Sequence, residues 1–103
     1  MRGDLTNRDS EKYLERKLKE IVEKKCQGLC LKLSSQDFTG LPDRLCLLLP
    51  GVAFFVEVKS KGKKPRKIQE HVHKRLRDLG FQVYVVDSME KLNSIKELVY
   101  ESK

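Results

Sequence analysis

The sequence lacks the features of a membrane protein and of a disulfide-rich secreted protein. No apolar run approaches the roughly 20 residues that cross a bilayer, and Met1–Ser10 is polar where a signal peptide would need an apolar stretch. Cysteine is scarce: Cys26, Cys30 and Cys46 are an odd set without paired close spacing, which excludes a disulfide framework and a four-cysteine zinc site. We therefore expect an unexported, cytoplasmic protein with reduced core thiols and no membrane partner.

Histidine is also scarce, and its spacing argues against a zinc site. His71 and His73 have no matching ligand pair elsewhere at recognisable zinc spacing. We expect both side chains to lie at the surface.

Length and charge predict one small basic domain. The chain has 103 residues, 39% hydrophobic and 36% charged, which is enough for one compact core but not for two. No internal repeat or long linker divides it, so residues 1–103 are interpreted as a single domain. The 22 basic side chains against 15 acidic ones leave a net charge of +7, which favours a polyanionic partner without proving one.

Hydrophobic periodicity predicts an α/β fold with the element order αβββαβα. Helical spacing is present over residues 8–25, from 65 to 79 and from 88 onward, with Gly28 and Gly80 as helix stops. Strand patterns cover residues 29–34, 45–49, 53–59 and 81–87. A helix between the third and fourth strands allows a crossover, so we expect a mixed four-stranded sheet flanked by helices.

Two carboxylates are expected to meet at the open end of a hairpin. Because side chains alternate across a strand, Glu57 and Lys59 share one face of the third strand. A turn at Pro50–Gly51 would bring Asp43 beside Glu57 on the neighbouring antiparallel strand. Carboxylates that close repel each other unless a cation lies between them, and hard oxygen ligands suit Mg²⁺ or Mn²⁺. The alternative interpretation is an edge-strand salt bridge between Glu57 and Lys59.

Positive charge is concentrated directly after these residues. Six cations lie within nine residues and lead into the N-terminus of the second helix, a place that attracts phosphate: Lys59, Lys61, Lys63, Lys64, Arg66 and Lys67. We expect this basic segment to bind the nucleic-acid backbone without reading base sequence, and a solvated loop without a partner is the alternative. Ser60 either binds a phosphate oxygen or ends the strand.

The motifs resemble those of a known nuclease family. Pro42-Asp43 followed by Glu57-Val58-Lys59 resembles the PD-(D/E)xK nuclease signature. Ordered blocks over residues 8–92 are similar to the VRR-NUC (virus-type replication-repair nuclease) domain: GLPDRL at 40–45, FVEVKS at 55–60, KPR at 64–66, Gln69, LR at 76–77, GF at 80–81 and VYVVD at 83–87. The resemblance implies a restriction-endonuclease-like core, metal-dependent cleavage of phosphodiester bonds, and the cytoplasm of a bacterium or a phage-infected host cell.

The resemblance also implies a role for each matching residue. Asp43 and Glu57 correspond to the metal-binding carboxylates, and the backbone carbonyl of Val58 corresponds to an additional ligand of Mg²⁺ or Mn²⁺. Lys59 corresponds to the catalytic lysine that orients or deprotonates the attacking water. Gln69 matches a catalytic-site glutamine in the helix after the active strand.

Two acids of the first helix are candidates for a further site residue. Glu11 matches the family's acidic position, from which it would reach the metal through water, and Glu15 is the alternative. At about 100° per residue, Glu11 falls within the arc of Leu14, Leu18 and Val22, and Glu15 falls at its border. We therefore expect Glu11 to point toward the sheet. An ordinary favourable charge in the first turn is the structural alternative.

The family resemblance implies an enzyme that acts on branched DNA. Short members are similar to homodimeric Holliday-junction resolvases, so we expect a structure-specific endonuclease for four-way junctions that uses Mg²⁺ or Mn²⁺ and no small-molecule cofactor. A flap or nicking nuclease is one alternative, and a nonenzymatic basic DNA-binding module is another. Leu98, Val99 and Tyr100 are candidates for a dimer interface, although core packing explains Leu98 and Val99 equally well.

Overall fold

The computed structural model describes residues 10–34 and 36–101, without the side chains of 96 and 98–101. Its elements are α1 (Glu11–Glu20), a π-helical turn (Ile21–Lys25), β1 (Leu29–Lys32), β2 (Arg44–Leu48), β3 (Val52–Val58), α2 (Lys67–Asp78), β4 (Gln82–Val86) and α3 (Met89–Glu101). This order agrees with the predicted αβββαβα. The predicted helix start at Arg8 and the side chains of Leu98, Val99 and Tyr100 lie outside the described parts.

The first helix begins at a serine cap and ends in a different helical form. The amide of Tyr13 donates to Oγ of Ser10 at 3.2 Å, which satisfies one of the free amides of the first turn. After Glu20 the backbone widens into a π-helical turn, where the amide of Cys26 donates to the carbonyl of Ile21 at 3.0 Å. No helix in the described ranges is long and apolar enough to cross a membrane.

The four strands form one mixed sheet in the order β1-β2-β3-β4. β1 pairs antiparallel with β2, β2 pairs antiparallel with β3, and β3 pairs parallel with β4 through the crossover helix α2. The turn from β2 into β3 contains a cis peptide bond between Leu49 and Pro50, and Gly51 has a φ of +72°. The predicted hairpin and the mixed sheet are therefore confirmed.

The main core lies between α1, α3 and one face of the sheet. Phe54, Val56 and Val58 of β3 point into it, as do Leu14 and Leu18 of α1. α3 adds further apolar side chains, which are those of Leu92 and Ile95. The three cysteines are free thiols; Cys30 and Cys46 are buried opposite each other on β1 and β2.

Helix α2 covers the opposite face of the sheet and contacts the loop before β2. Gly40 has a φ of +96°, and a Cβ atom at this position would lie 2.8 Å from Cγ2 of Val72. Glycine is therefore required for the loop to pass so close to α2. On β1, by contrast, the leucine side of the alternation is exposed, with Leu29 54% and Leu31 41% accessible, whereas Cys30 is buried.

Candidate active site

The hairpin brings Asp43 and Glu57 to the same face of the sheet. Arg44 pairs with Val56, so the next position of this antiparallel register sets Asp43 opposite Glu57. Opposite residues of an antiparallel pair project on one side. An oxygen of Asp43, Oδ2, accepts the backbone N–H of Val58 at 2.8 Å, which fixes the carboxylate at the end of β2.

The proline before Asp43 leaves a backbone acceptor at this place. Continued by two residues, the same register places Pro42 opposite Val58. Proline has no N–H, so Pro42 cannot donate to the Val58 carbonyl, while the Asp43 side chain accepts the Val58 N–H in place of a backbone partner. Because the N–H and C=O of a strand residue point to the same edge, the carbonyl of Val58 is directed toward the side on which Asp43 lies.

Two other side chains fix the carboxylate of Glu57, which is only 1% exposed. Nζ of Lys59 lies 3.3 Å from Oε2 of Glu57, and Nε2 of Gln69 donates to the same oxygen at 3.0 Å. A buried carboxylate is costly unless it is paired and hydrogen-bonded, and both conditions are met here. The salt bridge between Glu57 and Lys59 therefore forms in a buried site on an inner strand, not on an edge strand as in the alternative interpretation.

Gln69 connects the carboxylate to the start of α2. Its Oε1 accepts the backbone N–H of Arg66 at 2.9 Å, while its Nε2 reaches Glu57. The same side chain thus caps the helix and positions Glu57. The basic segment enters α2 at this cap, so its position relative to Glu57 is fixed by one buried amide.

The carboxyl group of Asp43 is electrostatically unfavourable in its charged form. Burial raises the pKa of Asp43 to about 6, and the negative charges of Glu57 and Glu15 add to the increase. The hydrogen bond from Val58 and the charge of Lys59 act in the opposite direction. A cation between the two carboxylates would relieve this repulsion.

The expectation that Glu11 points toward the sheet is wrong. Glu11 is exposed, whereas Oε1 of Glu15 accepts from Nε of Arg44 at 3.1 Å, next to Asp43. Helical side chains tilt toward the N-terminus of their helix, so a first-turn residue projects past the packed surface even when its angle matches the apolar stripe. Glu15, one turn later, is the acid that lies near the carboxylate pair.

The expected surface position of His73 is also wrong, whereas His71 is exposed as predicted. His73 is only 2% exposed, and its Nε2 lies 3.7 Å from Oε1 of Glu57. The sequence contained a usable signal, because His73 follows Gln69 by one helical turn and must share its face. Zinc spacing does not contain this signal, because it concerns pairs of ligands and not the faces of a helix.

The basic segment lies at the solvent-facing edge of this site. Within it the amide of Lys63 donates to the carbonyl of Ser60 at 2.9 Å, and Gly62 turns the chain with a φ of +81°. The cations beyond Lys59 are exposed, and these are Lys61, Lys63, Lys64, Arg66 and Lys67. The arrangement sets positive charge around a helix N-terminus, where phosphate oxygens are stabilised.

The donor set fits a hard divalent cation bound by few protein ligands. In the described ranges, no group of three or more His, Cys, Asp or Glu side chains is arranged to bind a metal. Asp43 and Glu57 therefore offer two carboxylates, and the Val58 carbonyl adds a neutral oxygen. Mg²⁺ is typically bound by one or two carboxylates, with water and substrate phosphate at the remaining positions.

The fold and this site together define a nuclease-type domain. A solved structure described as a "VRR_NUC domain" matches with a TM-score of 0.74 and 32% sequence identity, over 85% of this chain and 96% of that chain. The phage protein named "Putative nuclease p44", from Acyrthosiphon pisum secondary endosymbiont phage 1, is 41% identical over 85 residues, which are 82% of this chain and 85% of the relative. No family model matches the chain.

The chain belongs to the VRR-NUC family. The structural match extends over nearly the whole of the solved domain, at an identity well above that of fold likeness alone.

Proposed function

We propose that this protein is a metal-dependent endodeoxyribonuclease that hydrolyses phosphodiester bonds. The observation that carries the proposal is the convergence of Asp43, Glu57 and Lys59 on one face of the sheet, with the lysine 3.3 Å from the Glu57 carboxylate. An arrangement selected for stability alone would favour an apolar side chain at the buried position of Glu57.

Asp43, Glu57 and the carbonyl of Val58 would bind Mg²⁺ or Mn²⁺. Such an ion, when bound, polarises the scissile phosphate and lowers the pKa of its coordinated water. Lys59 orients the attacking water and stabilises negative charge that develops on the phosphate. Gln69 keeps Glu57 oriented through its hydrogen bond to Oε2.

An acid of α1 would act from the other side of the site. We expect it to bind a metal-coordinated water, as proposed from the sequence for Glu11. Its contact with Arg44, adjacent to Asp43, favours Glu15 over the exposed Glu11 for this role.

The nucleic acid would be bound through its backbone by the basic segment. Lys61, Lys63, Lys64, Arg66 and Lys67 are exposed around the start of α2, and Ser60 stands beside Lys59 at the end of β3. Contacts of this kind position DNA without reading its sequence. Recognition would therefore depend on the shape of the DNA, which favours a structure-specific enzyme.

The proposed substrate is a four-way DNA junction, cut by a homodimer in the cytoplasm of a bacterium or phage-infected host. One small domain has one site, so two symmetric cuts require a second copy. The exposed leucine face of the edge strand β1 supports self-association, because edge strands and exposed apolar patches are common contact surfaces. A flap or nicking nuclease would use the same site with a different DNA.

A cleavage assay on four-way junctions, flaps and plain duplex, with Mg²⁺, Mn²⁺ or EDTA, tests the proposal. We expect junction cleavage that requires the metal, and at least a hundredfold slower cleavage by Asp43→Asn, Glu57→Gln or Lys59→Met. Asp37→Asn is the matched control, since Asp37 is an exposed acid in the loop before β2. Full activity of Asp43→Asn would refute the site.

The same assay separates the alternatives. Preferential cleavage of flaps would replace the junction substrate with a flap and leave the chemistry unchanged. DNA binding without cleavage under any metal would identify a nonenzymatic module, for which the convergence of Asp43, Glu57 and Lys59 has no use.

A further inference from the structure

His73 and Glu57 contain two buried polar atoms that face each other without partners. Oε1 of Glu57 and Nε2 of His73 lie 3.7 Å apart, and neither has a hydrogen-bond partner in the described part of the chain. Both side chains are almost completely buried, at 1% and 2% exposure. Buried polar atoms are nearly always hydrogen-bonded, so this pair calls for a physical explanation.

The geometry allows the two atoms to satisfy each other. A carboxylate oxygen only accepts, so Nε2 must carry the ring proton that points at Glu57. Hydrogen bonds of this type are about 2.9 Å long, and a movement of about 0.8 Å closes the gap. The ring and Gln69 lie one helical turn apart on the same face of α2, where Gln69 already donates to the other oxygen, Oε2.

The acceptor positions of Glu57 leave room for a metal beside these donors. A carboxylate has about four acceptor positions. Gln69 and Lys59 approach Oε2, and His73 faces Oε1. One position on Oε1 then remains, and the α2 donors determine the direction in which it points.

We propose that His73 is a positioning residue, which donates from Nε2 to Oε1 of Glu57 and orients the carboxylate toward the divalent ion. This proposal rests on the metal role proposed above for Glu57. The hydrogen bonds behind a metal ligand commonly change metal affinity 10- to 100-fold when they are removed. His73 thus contributes to metal binding without touching the metal or the DNA.

The test compares Mn²⁺ binding by the full chain, measured by calorimetry, across matched variants. His73→Leu keeps most of the volume but removes the donor, and we expect at least tenfold weaker binding. His73→Gln returns an N–H at a similar reach, without a ring nitrogen that could bind a metal, and should restore affinity to within threefold. Val72→Ala is the control, because it opens a cavity in the same helix without removing a polar group.

Circular dichroism checks that the His73→Leu protein is folded. If the folded variant binds Mn²⁺ as tightly as the native chain, the proposal is overturned. Equal losses in His73→Leu and Val72→Ala would also overturn it, because they would reflect packing alone.

A second measurement does not depend on metal or on cleavage. In urea unfolding with EDTA, His73→Leu should lower the folding equilibrium constant at least tenfold in the native chain and less than threefold in Glu57→Met. Equal effects in the two backgrounds would show that the atoms do not interact, and would overturn the positioning role. A native chain that neither binds Mn²⁺ nor cleaves DNA would instead refute the proposed function. The comparison of His73→Leu in the native and Glu57→Met backgrounds would still decide whether His73 contacts Glu57.

Discussion

At the scale of single residues, Asp43 has a half-buried carboxylate whose charge the metal-free protein stabilises poorly. Burial and two neighbouring acids raise its pKa to about 6, although Val58 and Lys59 oppose the increase. Functional sites often contain such groups, because binding of the missing partner recovers the free energy. The metal-free protein should therefore lose stability as Asp43 ionises.

The sign of this pH effect follows from linkage. The pKa of Asp43 in the folded chain, about 6, is above its ordinary value of 3.8, so its contribution to stability is complete below about pH 4 and is lost as the pH rises through 6. Asp43→Asn, which has no charge to bury, should be more stable than the native chain at pH 8, by about 1–2 kcal/mol after the effect is reduced for solvent screening of this partly exposed carboxyl group. The difference should disappear near pH 4.

Urea unfolding in EDTA at pH 4, 6 and 8 measures this difference, and Asp37→Asn serves as the exposed control. A gap between Asp43→Asn and the native chain that stays constant with pH would contradict the burial argument. When Mn²⁺ replaces EDTA at pH 8, the native chain should become more stable than Asp43→Asn, because only the native carboxylate binds the ion.

The two candidate acids of α1, Glu11 and Glu15, can be separated by a direct comparison. Glu15→Gln should slow cleavage at least tenfold, because Glu15 lies beside Arg44 and Asp43, whereas Glu11→Gln should slow it less than twofold. Single-turnover rates at saturating Mg²⁺ measure both. Equal cleavage rates for the two variants would contradict the assignment of this role to Glu15.

At the scale of elements, the site depends on the junction between β3 and α2. Gln69 caps α2 and donates to Glu57, so the helix that covers the sheet also positions the carboxylate of Glu57 on β3. Gly40 allows the loop before β2 to approach Val72 of the same helix, three residues before Asp43. The basic segment connects β3 to α2, so the topology of the fold places it next to the site.

The basic segment should contribute a measurable share of the salt dependence of DNA binding. Lys63→Ala/Lys64→Ala should reduce the magnitude of the slope of log K against log salt by about 1.8, since each phosphate contact contributes about 0.9. Lys24→Ala/Lys25→Ala is the matched control, an exposed lysine pair at the end of the π-helical turn. Fluorescence anisotropy in the presence of Ca²⁺ measures the slopes of both double variants. If the two slopes do not differ, the DNA binds at another surface of the protein.

At the scale of the whole molecule, the leucine face of β1, formed by Leu29 and Leu31, is an exposed apolar surface. Leu29 and Leu31 are exposed on an edge strand, beyond the area that α2 covers. A second copy that packed there would remove apolar area from water and cover the edge.

Light scattering tests this contact. We expect the native chain to have twice the 12.0 kDa of one copy, and Leu29→Glu/Leu31→Glu to have the mass of one copy with its fold retained. Leu79→Glu, at an exposed leucine after α2, should leave the mass unchanged. A native chain with the mass of one copy would favour the flap or nicking enzyme.

Much of the fold and half of the site were accessible from local patterns. The hairpin turn and the alternation of side chains were enough to predict that Asp43 and Glu57 meet, because an antiparallel register is set by a few residues. The positions of Glu11 and His73 differ from the predictions for a common reason. Helical angle predicts the direction of a side chain, but not whether another element lies in that direction.

Periodicity and turn residues in the chain determined its helices and strands. The tight turn between β2 and β3 also determined that Asp43 and Glu57 meet beside Lys59, because such a turn sets the antiparallel register. Only the packing of α2 on β3 decided that Gln69 and His73 approach Glu57, and only the position of α1 decided that Glu15 lies near Asp43. These contacts lie between elements that no hairpin turn joins, so whether the residues meet depends on how the elements pack in three dimensions.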